Sequence, residues 1–212
     1  MQQESTELRS KNAKQRPQSA VRHEAGLKIL GLSGNTTRPS KTRTLVEHVL
    51  KQVEHTYGAA GRLVDLADML PELGTTYDRR NLNGQLASII EDIETADLLV
   101  VGTPVYKGSF AGLLKHLIDL LDPLMLRGTP VVLVATGGGE RHALVVEHQL
   151  RPLFGFFMAH AMPIAIYASE RDFEGGHLTA ASILGRIEDC VKDLEPWMPP
   201  LLQQSKEPTS RT

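Results

Sequence analysis

Three short stretches of this chain concentrate residues able to hold an anion, a flat ring and a polar edge. The first is Ser33-Gly34-Asn35-Thr36-Thr37-Arg38-Pro39-Ser40-Lys41-Thr42, which packs hydroxyl and amide donors, two cations and a helix start into ten residues. A phosphate is bound by such an array: backbone N–H groups of a tight turn, hydroxyl donors and a helix dipole directed at the anion. Ser40 or Thr42 also fits a plain helix N-cap, but one cap leaves Ser33, Asn35, Arg38 and Lys41 unexplained. The second stretch is Thr103-Pro104-Val105-Tyr106-Lys107-Gly108-Ser109-Phe110. Pro104 stiffens its turn, while Val105 and Tyr106 offer flat apolar surface; packing of Tyr106 on a neighbouring helix is the alternative. The third is Ala135-Thr136-Gly137-Gly138-Gly139. Three glycines cost backbone entropy, so a cause is expected. One cause is close approach of a ligand to bare backbone N–H groups, which bond carbonyl oxygens or stabilise a developing anion; a flexible strand-to-helix turn is the other. A phosphate site beside a planar surface suits a mononucleotide with a large ring system.

These stretches need a scaffold that brings them together, and the hydrophobic pattern supplies one. Apolar runs at 27–32, 62–66, 98–102, 129–135 and 163–167 read as strands. Between and after them lie helix-period segments: Leu45, Val46, Val49, Leu50 and Val53; Leu82, Leu86, Ile89, Ile90 and Ile93; Leu113, Leu114, Leu117, Ile118 and Leu121; a helix over about 142–158; and Ile183, Leu184, Ile187, Val191 and Leu194. Strands that are apolar without alternation, each followed by a helix, predict an α/β fold with a parallel sheet covered on both faces. Five strands suit the flavodoxin-like order 2-1-3-4-5, in which ligands lie beyond the carboxyl ends of the strands. The loops after strands one, three and four are the three stretches above.

Composition narrows the function classes. The chain has 212 residues, 41% hydrophobic and 23% charged, ordinary for one soluble domain. Aromatic content of 5% and a formal charge of -2 argue against a nucleic-acid surface. A single cysteine, Cys190, excludes a disulfide framework and any multi-cysteine metal site. No apolar run approaches the ~18 residues needed to span a bilayer, and the first residues carry no apolar signal core, so a cytoplasmic protein is expected. Residues 1–26 are polar, with five basic and three acidic residues, and are expected to form a disordered extension. A domain over 27–200 follows, and 201–212 reads as a second disordered tail. The eight histidines show neither an H-E-x-x-H motif nor paired i,i+4 spacing, so no metal site is predicted. His142 is placed to touch a ligand after the glycine run or simply to start a helix. Cys190 reads as a small buried group, and Glu91, Asp92 and Glu94 as a solvated helix face. A Walker loop needs glycine at 35 and 40, and a nucleophile elbow needs glycine at 35; Asn35 and Ser40 exclude both.

Leu32-Ser33-Gly34-Asn35 through Pro39-Ser40-Lys41-Thr42, Thr103-Pro104-Val105-Tyr106-Lys107 and Ala135-Thr136-Gly137-Gly138 together resemble the NAD(P)H-dependent FMN reductases. The likeness is greatest to the reductase partners of two-component alkanesulfonate and methanesulfonate monooxygenases. It covers about residues 27–195 and includes His142, Leu144, Arg151-Pro152 and the stretch to Phe157. The resemblance implies that Ser33, Asn35, Arg38, Ser40, Lys41 and Thr42 surround the FMN phosphate. It places Pro104, Val105 and Tyr106 along the isoalloxazine, with Thr136, Gly137 and Gly138 at its pyrimidine edge. Some relatives carry tyrosine where this chain has Phe110. The implied reaction is hydride transfer from NADPH or NADH to FMN, for which the cofactor carries the chemistry and no side-chain acid or base is nominated. The resemblance also implies a homo-oligomer, dimer or tetramer, that hands reduced FMN to a partner monooxygenase. An FMN-bound quinone or azo reductase and a flavodoxin-like electron carrier share the fold. Flavodoxins are commonly acidic and clamp FMN between aromatics, which this near-neutral, aromatic-poor chain does not favour.

Overall fold

The computed structural model describes residues 27–198 and Leu202. The expected tails at 1–26 and 201–212 lie outside the described residues, Leu202 excepted. Strand β1 (Ile29–Ser33) is buried along its whole length. Helix α1 (Lys41–Tyr57) starts at Ser40, whose side chain accepts a 3.3 Å hydrogen bond from Arg43 N–H. It ends at Gly58, which takes the left-handed conformation (φ 68°) suited to a C-cap. β2 (Arg62–Asp65), the one-turn α2 (Glu72–Thr75), α3 (Gly84–Thr95) and β3 (Leu98–Tyr106) follow. Then come β4 (Ser109–Phe110), α4 (Gly112–Asp119), β5 (Pro130–Gly137), α5 (Arg151–Phe156), β6 (His160–Ala161) and β7 (Ile166–Ser169). A small hairpin, β8 (Phe173–Glu174) with β9 (His177–Leu178), precedes α6 (Ala181–Lys192).

The sheet runs β2-β1-β3-β5 and ends in a fifth position shared by β6 and β7, all parallel. The flavodoxin-like order is therefore the observed one, but the sheet counts seven strands instead of five. One extra strand is β4, which folds back antiparallel on β3. The other arises because the fifth position is interrupted between Ala161 and Ile166. Pro163 has no N–H to give to a ladder, and the chain leaves the sheet around it. Side chains take over there: Arg151 donates to the carbonyls of Ala161, Met162 and Pro163, the Cys190 thiol to that of Ile164, and Arg186 to that of Ala165.

Successive strand residues point to opposite faces, so the continuous apolar strands feed two cores. Leu30, Leu32, Leu99, Val101, Val131 and Leu133 pack with α3 and α4. Ile29, Leu98, Val100, Val132 and Val134 pack with α1 and α6. Helix α1 lies close to the sheet because Gly102 has no side chain: a Cβ there would sit 2.4 Å from Val46 Cγ2.

Three expectations need correction. The helix expected over 142–158 is broken into a 3-10 turn at Glu140–His142, a π turn at Val146–Leu150 and α5. Pro152 cannot donate to His148 and its ring crowds that carbonyl. The turn ahead widens, and Arg151 N–H reaches back five residues to Val146. β3 does not stop at Gly102 but runs to Tyr106 and turns over Lys107 (φ 53°) and Gly108 (φ 84°), the two positive φ values of a tight hairpin. Glu94 does not belong to a solvated face. It is buried, bonded to Arg79 and to Asp122 N–H, whereas Glu91 is exposed and Asp92 pairs with Arg62.

Candidate functional site

The carboxyl ends of β1, β3, β5 and β7 converge on an open cleft of about 170 Å³. It is lined by Lys41 from the start of α1, by Pro104, Val105 and Tyr106, and by Thr136, Gly137 and Gly138. Ser169, Glu170 and Phe173 complete the lining from the end of β7 and the turn beyond it. Seven of the lining residues come from the three predicted stretches. The other three come from beyond the fifth strand, which the parallel order also brings to the carboxyl edge and which the three stretches do not include.

The first stretch is held from below. Ser33 and Asn35 are buried; Ser33 Oγ donates to Asn35 Oδ1 at 2.6 Å, and Asn35 Nδ2 donates to the Thr37 carbonyl and to Asp65 Oδ2, each at 3.1 Å. Asp65 ends β2 in register with Ser33 and is itself fully buried. Its carboxylate also receives Arg38 at 2.8 and 2.6 Å and Arg43 at 3.0 Å, and Arg38 bonds Asp68 as well. Burial alone would raise the Asp65 carboxyl pKa, but the hydrogen bonds from Arg38 and Asn35 and the charges of Arg38 and Arg43 hold it below the usual range. Asp65 and Asp68 in turn hold Arg38 above its already high value. Arg38 thus faces two carboxylates rather than the cleft. Ser40 serves as the N-cap of α1, and Ser33, Asn35 and Thr42 lie behind the lining.

Asp65 and Arg43 are the residues that reading the chain missed here. The predicted order 2-1-3 sets the end of strand two beside Ser33, so an acid at that position, facing a loop that carries Arg38 and Arg43, is the available signal.

What faces the cleft from this side is the start of α1. Arg43 N–H is taken by Ser40 Oγ and Thr44 N–H by the Ser40 carbonyl. The first-turn N–H groups of Lys41 and Thr42 lie outside the helix's own ladder, at its positive end. The Lys41 ammonium reaches across the cleft mouth to Glu170 at 2.8 Å. Thr42 links the two sides: its hydroxyl and that of Thr136 share a buried 2.6 Å hydrogen bond.

The second stretch forms the arm of the β3–β4 hairpin. Buried Thr103 bridges it, donating to the Pro104 carbonyl and accepting from Ala111 N–H, both at 3.0 Å. Gln149, in the π turn, donates to the Gly108 carbonyl and accepts from Ser109 Oγ. Tyr106 does not pack away on a helix; it is 53% exposed at the cleft.

The third stretch continues β5. Gly138 has no positive φ, and a Cβ there would meet no protein atom within 4 Å. Its backbone is left bare although conformation and packing would accept a side chain. His142 is half-buried in the 3-10 turn and outside the lining. Cys190 is buried on α6, and burial pushes its thiol up to about 12, so it is not a nucleophile.

The cleft thus offers a cation and a helix start at one end, flat apolar surface along one side and bare backbone opposite. That donor set fits a mononucleotide, with the anion at α1 and the ring between Pro104–Tyr106 and Thr136–Gly138. Among the described residues, no group of three His, Cys, Asp or Glu side chains comes together to hold a metal ion, and no helix is long and apolar enough to cross a membrane.

Comparison with known proteins shows the family. The model of the NADPH-dependent FMN reductase family matches residues 27–174. An FMN reductase (NADPH) of Pseudomonas aeruginosa is 46% identical over 169 residues, covering 80% of this chain and 91% of that protein. An NADH-dependent FMN reductase, SfnF, of Pseudomonas fluorescens is 47% identical over 170 residues with the same coverage. Among solved structures, the apo form of the NADH:FMN oxidoreductase EMOB superposes with a TM-score of 0.71 at 27% identity, covering 87% of this chain and 94% of that one. An oxidoreductase of Corynebacterium diphtheriae gives 0.68 at 30% identity, covering 85% of this chain and 99% of the other. The chain belongs to the family of NADPH-dependent FMN reductases, enzymes that use NADPH or NADH with FMN.

Proposed function

We propose that the cleft holds FMN as an exchangeable substrate and that reduced FMN leaves for a separate flavin-dependent monooxygenase acting on sulfonates, in the cytoplasm. The observation that carries this reading is the openness of the site. Tyr106 at the cleft mouth is 53% exposed, so a flavin lying along Pro104–Tyr106 would keep one face towards solvent. FMN supplies the hydride-accepting chemistry when bound. Lys41 and the first-turn N–H groups of α1 would hold its phosphate, with Ser40 and Thr42 shaping that turn. Ser33, Asn35 and Arg38 would set the loop through Asp65 instead of touching the anion. Pro104, Val105 and Tyr106 would support the ring, and the Thr136–Gly138 backbone would meet its polar edge. No side chain of the cleft is required to move a proton. Reduced nicotinamide would stack from the solvent side, where exposed Tyr106 leaves room.

Assembly as a dimer or tetramer belongs to the same proposal, in which exposed Leu144 and Phe156, between the glycine loop and β6, are residues a partner subunit would cover.

The test is steady-state oxidation of NADH and NADPH with FMN varied, followed by coupling to a sulfonate monooxygenase and measurement of sulfite. Turnover that rises with added free FMN, with sulfite released only when both proteins are present, is the expected result. Turnover requiring a quinone but no free flavin would replace this reading with a quinone reductase that retains its FMN.

A further inference from the structure

Tyr167 stands on β7 opposite Ala135 of β5, one strand over from the glycine loop. Its hydroxyl donates to the Gly139 carbonyl at 2.5 Å, the residue directly after the two cleft glycines. The same oxygen occupies the space next to Gly137: a Cβ on that residue would lie 2.3 Å from Tyr167 Oη, with the nearest ring atoms at 3.3 and 3.5 Å. Gly137 has no positive φ. Its lack of a side chain is therefore a matter of space, and the phenol takes that space.

We infer that Tyr167 is a positioning residue for the flavin site: its hydroxyl pins the Gly137–Gly139 backbone in the shape that meets the ring's polar edge, and so obliges position 137 to be glycine. This rests on the reading of the cleft as the FMN site. Two features set the role apart from general packing. The bond is made by a side-chain hydroxyl to a loop carbonyl outside the sheet ladder, and it braces the stretch between Gly137, the last ladder residue of β5, and the 3-10 turn that His142 N–H closes on the same carbonyl, where Gly138 and Gly139 have no side chain to pack. The phenol's pKa is raised, chiefly by burial, so it stays a donor at working pH.

The experiment is a double-mutant cycle on the full chain, Gly137→Ala, Tyr167→Phe and the pair, with FMN affinity by calorimetry and apo-protein melting on all four. Loss of one fixing hydrogen bond should weaken FMN about threefold to tenfold in Tyr167→Phe. Gly137→Ala should weaken it further by displacing the phenol. The pair should bind FMN better than Gly137→Ala alone, because removing the hydroxyl frees the space the methyl needs. Additive losses, or a Tyr167→Phe protein with wild-type affinity, would overturn the inference while wild-type FMN binding kept the cofactor reading intact. A wild-type protein that binds no FMN would overturn both. A proportional fall in melting temperature with no change in affinity would assign Tyr167 to packing and count against the inference.

Discussion

The two walls of the cleft are built on opposite plans. The wall from β1 and α1 is a charged network resting on one buried carboxylate, Asp65, which gathers Asn35, Arg38 and Arg43. The wall from β5 is nearly bare backbone, steadied by one phenol. An anion is met by fixed dipoles and cations, whose orientation needs strong supports. A flat ring edge needs close approach, which is obtained by omitting side chains. The comparison teaches that the first wall's charged network contributes to folding as well as to binding, while the bare glycine backbone of the second serves binding and leaves stability to the strand beneath it.

The largest break is expected at Asp65. Asp65→Ala leaves Asn35, Arg38 and Arg43 without their shared acceptor and should cost about 3 kcal/mol in urea unfolding, with the phosphate loop losing its shape. The same carboxylate gives a pH signature. Its folded pKa lies below the unfolded one, so its contribution is complete above about pH 4 and is lost as pH falls through the folded value. Acid unfolding of wild type should show this loss and Asp65→Ala should not.

Gly138→Ala addresses the other wall. Stability should stay within about 0.5 kcal/mol, since no protein atom is displaced, while FMN affinity should drop about tenfold in calorimetry from overpacking against the ring. The two walls touch through Thr42 and Thr136. Either valine substitution alone should cost about 1 kcal/mol in thermal unfolding, and the double less than the sum, because only the single variants orphan a buried hydroxyl. The smallest effect on stability belongs to Lys41→Gln, because solvent and salt screen its exposed pair with Glu170. Its FMN affinity should lose most of its dependence on salt between low and moderate ionic strength.

Much of this was legible in the chain because both-face burial leaves strands as unbroken apolar runs, and α1, α3, α4 and α6 show clear helical spacing. The order of the sheet followed, and with it the meeting of Lys41, Tyr106 and Gly138. What escaped depends on contacts distant in sequence. Asp65 is one acid in an apolar run, and only its pairing with Arg38 and Arg43 gives it a role. Tyr167 ends an apolar run in sequence, and only the fold brings its hydroxyl beside Gly137. The π turn before Pro152 and the hairpin over Lys107 are backbone adjustments that periodicity does not encode. Glu94 sits among Glu91 and Asp92 in sequence, yet its helix turns it inward to Arg79.

The interrupted fifth strand has a consequence for the protein's behaviour in concentrated solution. Five successive acceptors, from Ala161 to Ala165, are already claimed by Arg151, Cys190 and Arg186. A foreign β-segment arriving at this margin finds no free row of carbonyls to zip against, and the irregular course around Pro163 offers it no straight template. Two guanidinium groups and a thiol thereby divide this margin into two short strand segments, β6 and β7, in place of one long template.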